Sequence, residues 1–395
     1  MTKVLTIALT GGGSGGHITP LLAIAAEIKR LKPEAKLVYI GQSGDKLGDI
    51  PTNDKNIDAV YAVRAGKFRR YYGGGLKQFL DLKTLFMNIR DAFYVLIGIW
   101  QSLRLLRKIR PSIVFVKGGF VGVPVGLSSA MLGIPYITHD SDSVSGLANR
   151  IIAPWACLHA VALPEKIYAY PASKTITTGI PLQSNFVFVN QQLKNQYRQK
   201  LELPEAVPVL FIIGGGQGAQ RINFAISEAI PHLLREFKEL RVIHGVGRAN
   251  EVVMRQTYAN SLKTEELSRL RLFGYESDIY LYSGASDLIV TRAGATNLAE
   301  FALQGRACIV IPSPYLTNGH QSKNARYLGE SQAAIVMSEN DIQSDPNRLA
   351  KQVSDLLKDP SERSKLATNL ARFAKPNATH DLAKLIIDQI NDQDK

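Results

Sequence analysis

Two glycine-rich segments constrain the fold of this chain more than any other feature. Residues 11–16 follow a short apolar stretch at 3–9, and residues 214–219 follow another at 208–213. Each segment leads into a helical pattern. Glycine permits a tight turn, and the free amides and dipole at a helix start favour an anion. The sequence therefore predicts two phosphate-binding loops, with a plain tight turn as the alternative for each.

The same alternation of apolar strands and helices occurs on both sides of a linker at residues 179–183. It is typical of parallel sheets covered by helices on both faces, and 395 residues are too many for one core. We therefore predict an α/β protein with doubly wound domains at 1–181 and 182–376. The last helix, within 377–395, is expected to cross back to the first domain. The predicted strands lie at 3–9, 36–41, 57–63, 112–117, 135–138, 158–162, 174–177, 208–213, 241–244, 269–273, 287–291, 307–312 and 333–337.

The composition, with 45% hydrophobic and 21% charged residues, is that of an ordinary globular protein. Lys and Arg number 47 against 34 Asp and Glu, and the net charge of +13 suits a partner that carries phosphates or other anions. Cys157 and Cys308 form neither a disulfide framework nor a metal-binding pattern, which favours a reducing compartment. The N-terminal residues lack the pattern of a signal peptide, so export is not expected.

The longest apolar stretch, residues 82–106, is interrupted by charges and is not expected to span a membrane. Its apolar residues recur every three or four positions, which predicts an amphipathic helix with that face packed on a sheet. These residues are Leu82, Leu85, Phe86, Ile89, Phe93, Leu96, Trp100 and Leu103.

His17 directly follows the first glycine loop and is a candidate base. An imidazole exchanges protons near neutral pH, and a helix start favours its neutral form. A hydrogen-bonding cap is the alternative. Gly11, Gly13 and Gly16 also match a dinucleotide fingerprint, but the second strand ends at Gln42 and not at the acidic residue that would hold a ribose. A nicotinamide cofactor is therefore disfavoured.

In the second half, residues 291–300 close a strand and open a helix. Glu300 lies inside that helix, where a carboxylate can accept both hydroxyls of a ribose. His320 and Gln321 follow the next strand and offer donors to sugar hydroxyls. Solvated helix caps are the alternative for both segments.

Residues 64–110 contain eleven basic and two acidic residues. Within this segment, aromatic and basic side chains alternate in a predicted loop, as is typical of contacts with anionic lipid headgroups. The alternatives are a solvated basic loop and nucleic acid binding. The predicted membrane-contacting residues are Lys67, Phe68, Arg69, Arg70, Tyr71 and Tyr72.

Seven motifs in this order resemble the GT-B glycosyltransferases and, among them, the MurG family, which adds N-acetylglucosamine to lipid I. They are the glycine loop with His17, Gly118-Gly119-Phe120 before Pro124, Gly133-Ile134-Pro135, His139-Asp140 with Gly146-Leu147-Ala148-Asn149, the 214–219 loop, the 291–300 segment, and His320-Gln321 with Asn324-Ala325.

The resemblance implies two Rossmann-like domains facing a cleft. It also implies inverting transfer of N-acetylglucosamine from UDP-GlcNAc to the C4 hydroxyl of MurNAc-(pentapeptide)-diphospho-undecaprenol, or lipid I, in peptidoglycan synthesis. The enzyme would be peripheral at the cytoplasmic face of the cell membrane and would need no metal, cofactor or nucleic acid. A glycolipid synthase, a UDP-GlcNAc 2-epimerase and a nucleotide-binding protein without transferase activity are the alternatives.

The resemblance further implies that His17, or Asp140 with His139, takes the acceptor proton. Some residues depart from the family pattern: Asp140-Ser141-Asp142 stands in place of Glu-Gln-Asn, Gln183 replaces an arginine, Gly216 a serine, and Glu276 an apolar residue. The implied donor-binding residues are Ser14, Gly15, Gly16, Asp142, Gly216, Gln217, Gly218, Glu276, Ala295, Thr296, Asn297, Leu298, Ala299, Glu300, His320 and Gln321.

Overall fold

The computed structural model describes residues 5–67, 82–215, 219–314, 319–345 and 347–391. The chain divides into two compact units. The N-terminal unit comprises Met1–Ser184, Tyr315–His320 and Lys375–Lys395, and the C-terminal unit comprises Asn185–Pro314 and Gln321–Ala374. The predicted domain limits differ from these by two or three residues near 181 and 376 and by the assignment of 315–320, and they stay a prediction.

The described part of the N-terminal unit forms a seven-stranded parallel sheet in the order β3-β2-β1-β4-β5-β6-β7. Every residue of strands β1 and β4 is buried, as expected for the centre of a parallel sheet with helices on both faces. The strands are β1 Thr6–Thr10, β2 Lys36–Gln42, β3 Ala59–Val63, β4 Ile113–Val116, β5 Tyr136–Asp140, β6 Leu158–Val161 and β7 Thr175–Thr177. The helices before the linker are α1 Gly15–Leu31, α2 Asp49–Thr52, α3 Leu82–Ile109, α4 Gly122–Met131 and α5 Leu147–Ile152, with 3₁₀ turns at Ala153–Trp155, Glu165–Ile167 and Ala172–Lys174.

The C-terminal unit repeats this architecture with a six-stranded parallel sheet in the order β10-β9-β8-β11-β12-β13. Its strands are β8 Val209–Ile213, β9 Arg241–Gly245, β10 Leu270–Phe273, β11 Leu288–Thr291, β12 Cys308–Val310 and β13 Ile335–Val336. Its helices are α6 Gln191–Lys200, α7 Gln220–Glu236, α8 Glu251–Ser261, α9 Thr264–Leu267, α10 Ile279–Ala285, α11 Ala295–Gln304, α12 His320–Glu330, α13 Glu339–Ser344, α14 Asn347–Lys358 and α15 Pro360–Ala371.

The last helix, α16 (Ala378–Asn391), returns to the N-terminal unit. Its Leu382 and Ile386 are fully buried in the apolar cluster that also contains Ile24 and Ile28 of α1. Thr379 Oγ1 lies within 2.9 Å of both the amide and the carbonyl of Leu182, and so attaches the helix to the linker. The predicted crossing helix is therefore confirmed.

The sequence-based fold class is confirmed, because each predicted strand segment overlaps one observed strand. The prediction for helix α3 is right in extent and wrong in orientation. Its apolar face is exposed and does not pack on the sheet. The exposed fractions reach 71% for Phe86, 61% for Phe93 and 62% for Leu96. The other exposed members of this face are Leu85, Ile89, Ile97 and Trp100.

The opposite face of α3 is buried and consists mainly of small and polar residues, namely Thr84, Asp91, Gly98, Ser102 and Leu106. A Cβ atom on Gly98 would lie 2.0 Å from the carbonyl oxygen of Arg64, so the helix approaches the chain leaving β3 more closely than any larger residue would allow. The close approach of Gly98 to Arg64 therefore determines which face of α3 is buried. No helix within the described ranges is long and apolar enough to cross a membrane.

Candidate active site

In each sheet the strand order reverses at one point, between β1 and β4 in the N-terminal unit and between β8 and β11 in the C-terminal unit. Open α/β sheets bind ligands outside the carboxyl ends of their strands at such a point. The first glycine loop follows β1, and residues 214–219 follow β8. Topology therefore places both predicted phosphate loops at switch points.

The glycine loop after β1 packs against the segment that follows β4. Gly13 has φ +79° and Gly119 has φ +81°, a left-handed conformation that favours glycine. A Cβ on Gly119 would lie 2.6 Å from the carbonyl oxygen of Gly12. Asp45, beyond β2, accepts a hydrogen bond from the Gly13 amide at 2.7 Å and fixes the loop from the other side.

His17 lies in the first turn of α1 and is half-buried. Its Nδ1 lies 3.0 Å from the carbonyl oxygen of Gly12 and 3.1 Å from Ser14 Oγ. Because a carbonyl only accepts, Nδ1 carries the proton in the neutral ring, and Nε2 keeps its lone pair. Burial, assisted by the positive charge of Lys117, lowers the pKa of His17 to about 4. The ring is therefore neutral at physiological pH, as a base requires.

The space beside Nε2 is bounded by Gly118, which has no side chain. A Cβ at Gly118 would lie 3.7 Å from His17 Nε2 and 3.8 Å from the amide oxygen of Asn149. That amide oxygen is buried and finds no hydrogen-bond partner within the described ranges. A substrate hydroxyl group placed next to Nε2 would therefore lie near a second hydrogen-bond acceptor, the amide oxygen of Asn149.

Asp140 ends β5, and both of its carboxylate oxygens are already engaged. Oδ1 accepts from the Gly146 amide at 2.9 Å and from Asn149 Nδ2 at 3.0 Å, and Oδ2 accepts from Tyr170 OH at 2.7 Å. Burial raises the pKa of Asp140, and the three donors oppose that shift. This carboxylate orders the loop after β5, and its geometry does not support the predicted role as the base.

His139 is completely buried, and its Nε2 donates to the carbonyl oxygen of Gly179 at 2.8 Å. Its Nδ1 has no hydrogen-bond partner among the residues that the structure describes. Burial, followed by the charge of Lys117, lowers the pKa of His139 well below its usual value. The ring holds the linker in place, and the predicted assistance to Asp140 is not supported by this placement.

Ser14, Gly15, Gly16 and Asp142 accompany His17 at the same edge of the sheet. Ser14 is extended and directly precedes α1. Within the described part of the chain its side chain caps none of the first helical amides. The helix start can thus offer amides to an anion. Asp142 is half-buried after β5, and its negative charge acts on both His17 and Lys117.

In the C-terminal unit, the loop after β8 begins as predicted. A Cβ on Gly214 would lie 2.7 Å from the Cβ of Ala219, so the close approach of these two residues requires glycine at position 214. Gly215 follows with φ +93°. The predicted donor-binding residues Gly216, Gln217 and Gly218 lie outside the described residues.

Helix α11 starts after Gly294, at the carboxyl end of β11, the strand that pairs with β8. A Cβ on Gly294 would meet no atom within 4 Å among the described residues, which leaves room for a ligand at the helix start. The helix carries Ala295, Thr296, Asn297, Leu298, Ala299 and Glu300 in its first two turns. Glu300 is half-buried, and desolvation raises its pKa to about 8.

Helix α12 brings His320 and Gln321 to the same end of this sheet. Gln321 is buried, and its Oε1 accepts from the Ser313 amide at 2.9 Å, just beyond β12. Asn324 Nδ2 donates to the carbonyl oxygen of Ala293 at 3.2 Å. Glu276 lies half-buried beyond β10. Topology thus places the described donor-binding candidates of the C-terminal unit after β10, β11 and β12.

Comparison with known proteins identifies the family. Residues 7–159 match the glycosyltransferase family 28 N-terminal domain, and residues 209–384 match its C-terminal domain. The chain is 30% identical over 384 residues to a UDP-N-acetylglucosamine–N-acetylmuramyl-(pentapeptide) pyrophosphoryl-undecaprenol N-acetylglucosamine transferase of Natranaerobius thermophilus, covering 97% of this chain and 99% of the relative. The chain belongs to the MurG family.

Other relatives agree with this assignment. The transferase 2 of the same name from Bacillus thuringiensis is 31% identical over 386 residues, which are 97% of this chain and 98% of that protein. The crystal structure of Acinetobacter baumannii MurG has a TM-score of 0.67 at 23% identity, covering 97% of this MurG-family chain and 99% of the other. That structural likeness supports the fold.

Several residues of this MurG-family site were not predicted from the sequence. Lys117 and Asp45 both act electrostatically on His17, and Tyr170 holds Asp140. Lys117 directly precedes the quoted Gly118-Gly119 motif, and this adjacency was the available signal. Among the described residues no three His, Cys, Asp or Glu side chains are grouped as a metal site would require. Of the predicted membrane-contacting residues, Phe68, Arg69, Arg70, Tyr71 and Tyr72 lie outside the described residues.

Proposed function

We propose that this chain transfers N-acetylglucosamine from UDP-GlcNAc to the C4 hydroxyl of lipid I, in one displacement with inversion. The single observation that carries the chemistry is the geometry of His17. Its Nδ1 is held by the carbonyl oxygen of Gly12, and its Nε2 lone pair stays available in a ring that is neutral at pH 7. One base that removes the acceptor proton is sufficient for a single displacement. The relatives' names supply the two substrates.

The acceptor diphosphate is assigned to the start of α1, where Gly15 and Gly16 offer backbone amides. A helix start attracts anions through its free N–H groups and its dipole. The hydroxyl of Ser14 contacts His17 and does not cap these backbone amides. An anion can therefore bind to the amides without first displacing a capping side chain.

The donor nucleotide is assigned to the C-terminal unit. Glu300 would accept the ribose hydroxyls, and Gln321 would contact the sugar through its amide nitrogen while its Oε1 stays on Ser313. The amides at the starts of α7 and α11 would stabilise the charge that develops on the leaving UDP. Helix starts can carry that charge, so the proposed reaction needs no metal or other cofactor.

The chain would act as a peripheral enzyme at the cytoplasmic face of the membrane, where the lipid acceptor is embedded. The exposed apolar face of α3 supports contact with a membrane surface. Arg104 stacks on Trp100 with its guanidinium carbon 3.8 Å from the ring centroid, and Lys67 lies over Phe120 at 5.7 Å. An amphipathic helix with an apolar face and flanking cations binds at the surface of an anionic bilayer.

Product analysis tests the function. The purified chain is incubated with UDP-GlcNAc and a short-chain lipid I analogue, and lipids and nucleotides are measured by mass spectrometry. The proposal predicts UDP and a disaccharide lipid in equal amounts, with His17→Gln as the control that loses both. Release of UDP, or formation of N-acetylmannosamine, without a glycosylated lipid would point to hydrolysis or epimerisation and contradict the proposal.

A further inference from the structure

Lys117 is a buried cation to which the proposed reaction gives no role. It directly follows β4 and is only 3% exposed. Its Nζ donates to Ser141 Oγ at 2.6 Å, on the loop after β5. Burying an ammonium group costs free energy that a neutral side chain of similar length, such as methionine, would not incur. The presence of a buried ammonium group at this position therefore indicates that its charge has a function.

The backbone at Lys117 lies against the His17 loop. The Lys117 amide donates to the carbonyl oxygen of Thr10 at 2.9 Å, and a Cβ on Gly11 would lie 3.4 Å from the Cβ of Lys117. The next residue, Gly118, borders His17 Nε2. The backbone of Lys117 and Gly118 thus forms part of the surface against which the His17 imidazole packs.

Three charged groups from three different loops act on His17. Burial is the main cause of its lowered pKa, and the positive charge of Lys117, after β4, lowers it further. The carboxylates of Asp142, after β5, and Asp45, after β2, act in the opposite direction. Lys117 is in turn stabilised as a cation by Asp140 and Asp142.

We propose that Lys117 is a positioning residue for the transfer reaction: its ammonium group, held by Ser141 beside the loop that carries His17, sets the electrostatic environment of the imidazole, and Asp142 balances it. This role rests on the proposed function of His17. It does not require Lys117 to contact a substrate, and the burial of its side chain disfavours such contact.

A positioning role through His17 and a direct contact with the substrate predict different pH profiles of kcat/KM. Burial lowers the pKa of Lys117 to about 8, so a direct contact with a substrate anion would weaken above that pH. A lysine that acts through His17 matters only at low pH, where the imidazole is close to protonation. Removing its charge should therefore move the acid limb of kcat/KM to higher pH and leave the profile above pH 8 unchanged.

NMR titration of the ¹⁵N-histidine-labelled full chain tests the coupling without relying on turnover, with the His17 signal assigned from its loss in His17→Gln. In the wild type we expect His17 to stay neutral above pH 5. In Lys117→Met the midpoint of the His17 titration should rise by roughly one pH unit, because a nearby positive charge is removed. Lys117→Arg should keep the wild-type midpoint, and the double variant Lys117→Met/Asp142→Asn should return toward it. Lys174→Met, which removes an exposed lysine of the same unit, is the control and should not shift it.

An unchanged His17 midpoint in Lys117→Met would overturn the proposal. So would an equal loss of kcat/KM at pH 6 and pH 8 with a raised KM for the acceptor, which would indicate substrate contact. Lys117→Gln provides the same measurement if the methionine variant does not fold. If no variant, including the wild type, glycosylates lipid, the proposed function fails, while the titration still decides whether Lys117 controls His17.

Discussion

At the scale of single residues, burial and hydrogen bonding distinguish two histidines that both lie near carboxyl ends of strands. His17 keeps Nε2 available because Nδ1 is held by a backbone carbonyl. His139 uses Nε2 to hold Gly179 and is completely buried. Proximity in sequence to Asp140 suggested a catalytic pair, but sequence does not report that both side chains are engaged in the structure of the loop.

Replacing each of these histidines by glutamine should therefore have opposite consequences. His17→Gln should lower kcat by about 10²–10⁴-fold, the usual contribution of a general base, with little change in melting temperature. His139→Gln should lower the free energy of unfolding by about 1–3 kcal/mol through a disturbed buried hydrogen bond, and folded molecules should keep their turnover. Initial rates and thermal denaturation measure the two effects. Near-normal turnover of His17→Gln would remove His17 from the mechanism.

Glu300 gives a second residue-scale prediction, about pH. Its pKa is raised from 4.5 to about 8 by burial, so between these values the folded chain binds more protons at this site than the unfolded chain does. The contribution of Glu300 to stability therefore falls as pH rises from 5 to 8. In urea unfolding, Glu300→Gln should gain stability relative to the wild type over that interval, and the exposed control Glu228→Gln should not.

The same substitution should weaken UDP binding measured at pH 9, where Glu300 is ionised, because a charged acceptor of the ribose hydroxyls is lost. Hydrogen bonds to charged groups contribute about 1.5–3 kcal/mol, which corresponds to roughly a 10–100-fold change in Kd. Isothermal titration calorimetry measures the change. Equal affinities of Glu300→Gln and the wild type for UDP would exclude Glu300 from the ribose site.

At the scale of elements, helix α3 shows what an apolar pattern can and cannot predict. Periodicity predicted the helix and its apolar face correctly, as it did the strands. It could not predict what covers that face, because the close approach of Gly98 to Arg64 depends on the tertiary structure. Lys117 was missed for a related reason: a single lysine has no periodic signal, and its importance arises from burial beside His17.

The exposed face of α3 should bind membranes without contributing to the core. Phe86→Ser combined with Phe93→Ser should abolish co-flotation with vesicles that contain anionic lipid, while the melting temperature stays unchanged, because both side chains are already exposed in the folded chain. Val252→Ser on α8, where the valine is 79% exposed, is the matched control and should float normally. Undiminished flotation of the double variant would contradict the proposed membrane surface.

At the scale of the whole molecule, the two units share one architecture, a doubly wound parallel sheet with a glycine loop at its switch point. This duplication could be predicted from sequence because alternation and loop chemistry are local signals. Family membership adds the two substrates, and the geometry of His17 adds a single base. Together they lead to one central claim, that the chain moves N-acetylglucosamine to a lipid-linked acceptor by a single displacement.

The anomeric configuration of the product tests this claim most directly. The sugar of UDP-GlcNAc is α-linked, so one displacement at its anomeric carbon must give a β-linked disaccharide. We predict that the proton NMR spectrum of the lipid product made by the wild-type chain shows the large anomeric coupling of a β-linkage. An α-linked product would contradict the single displacement, and the absence of any disaccharide lipid would contradict the transferase account itself.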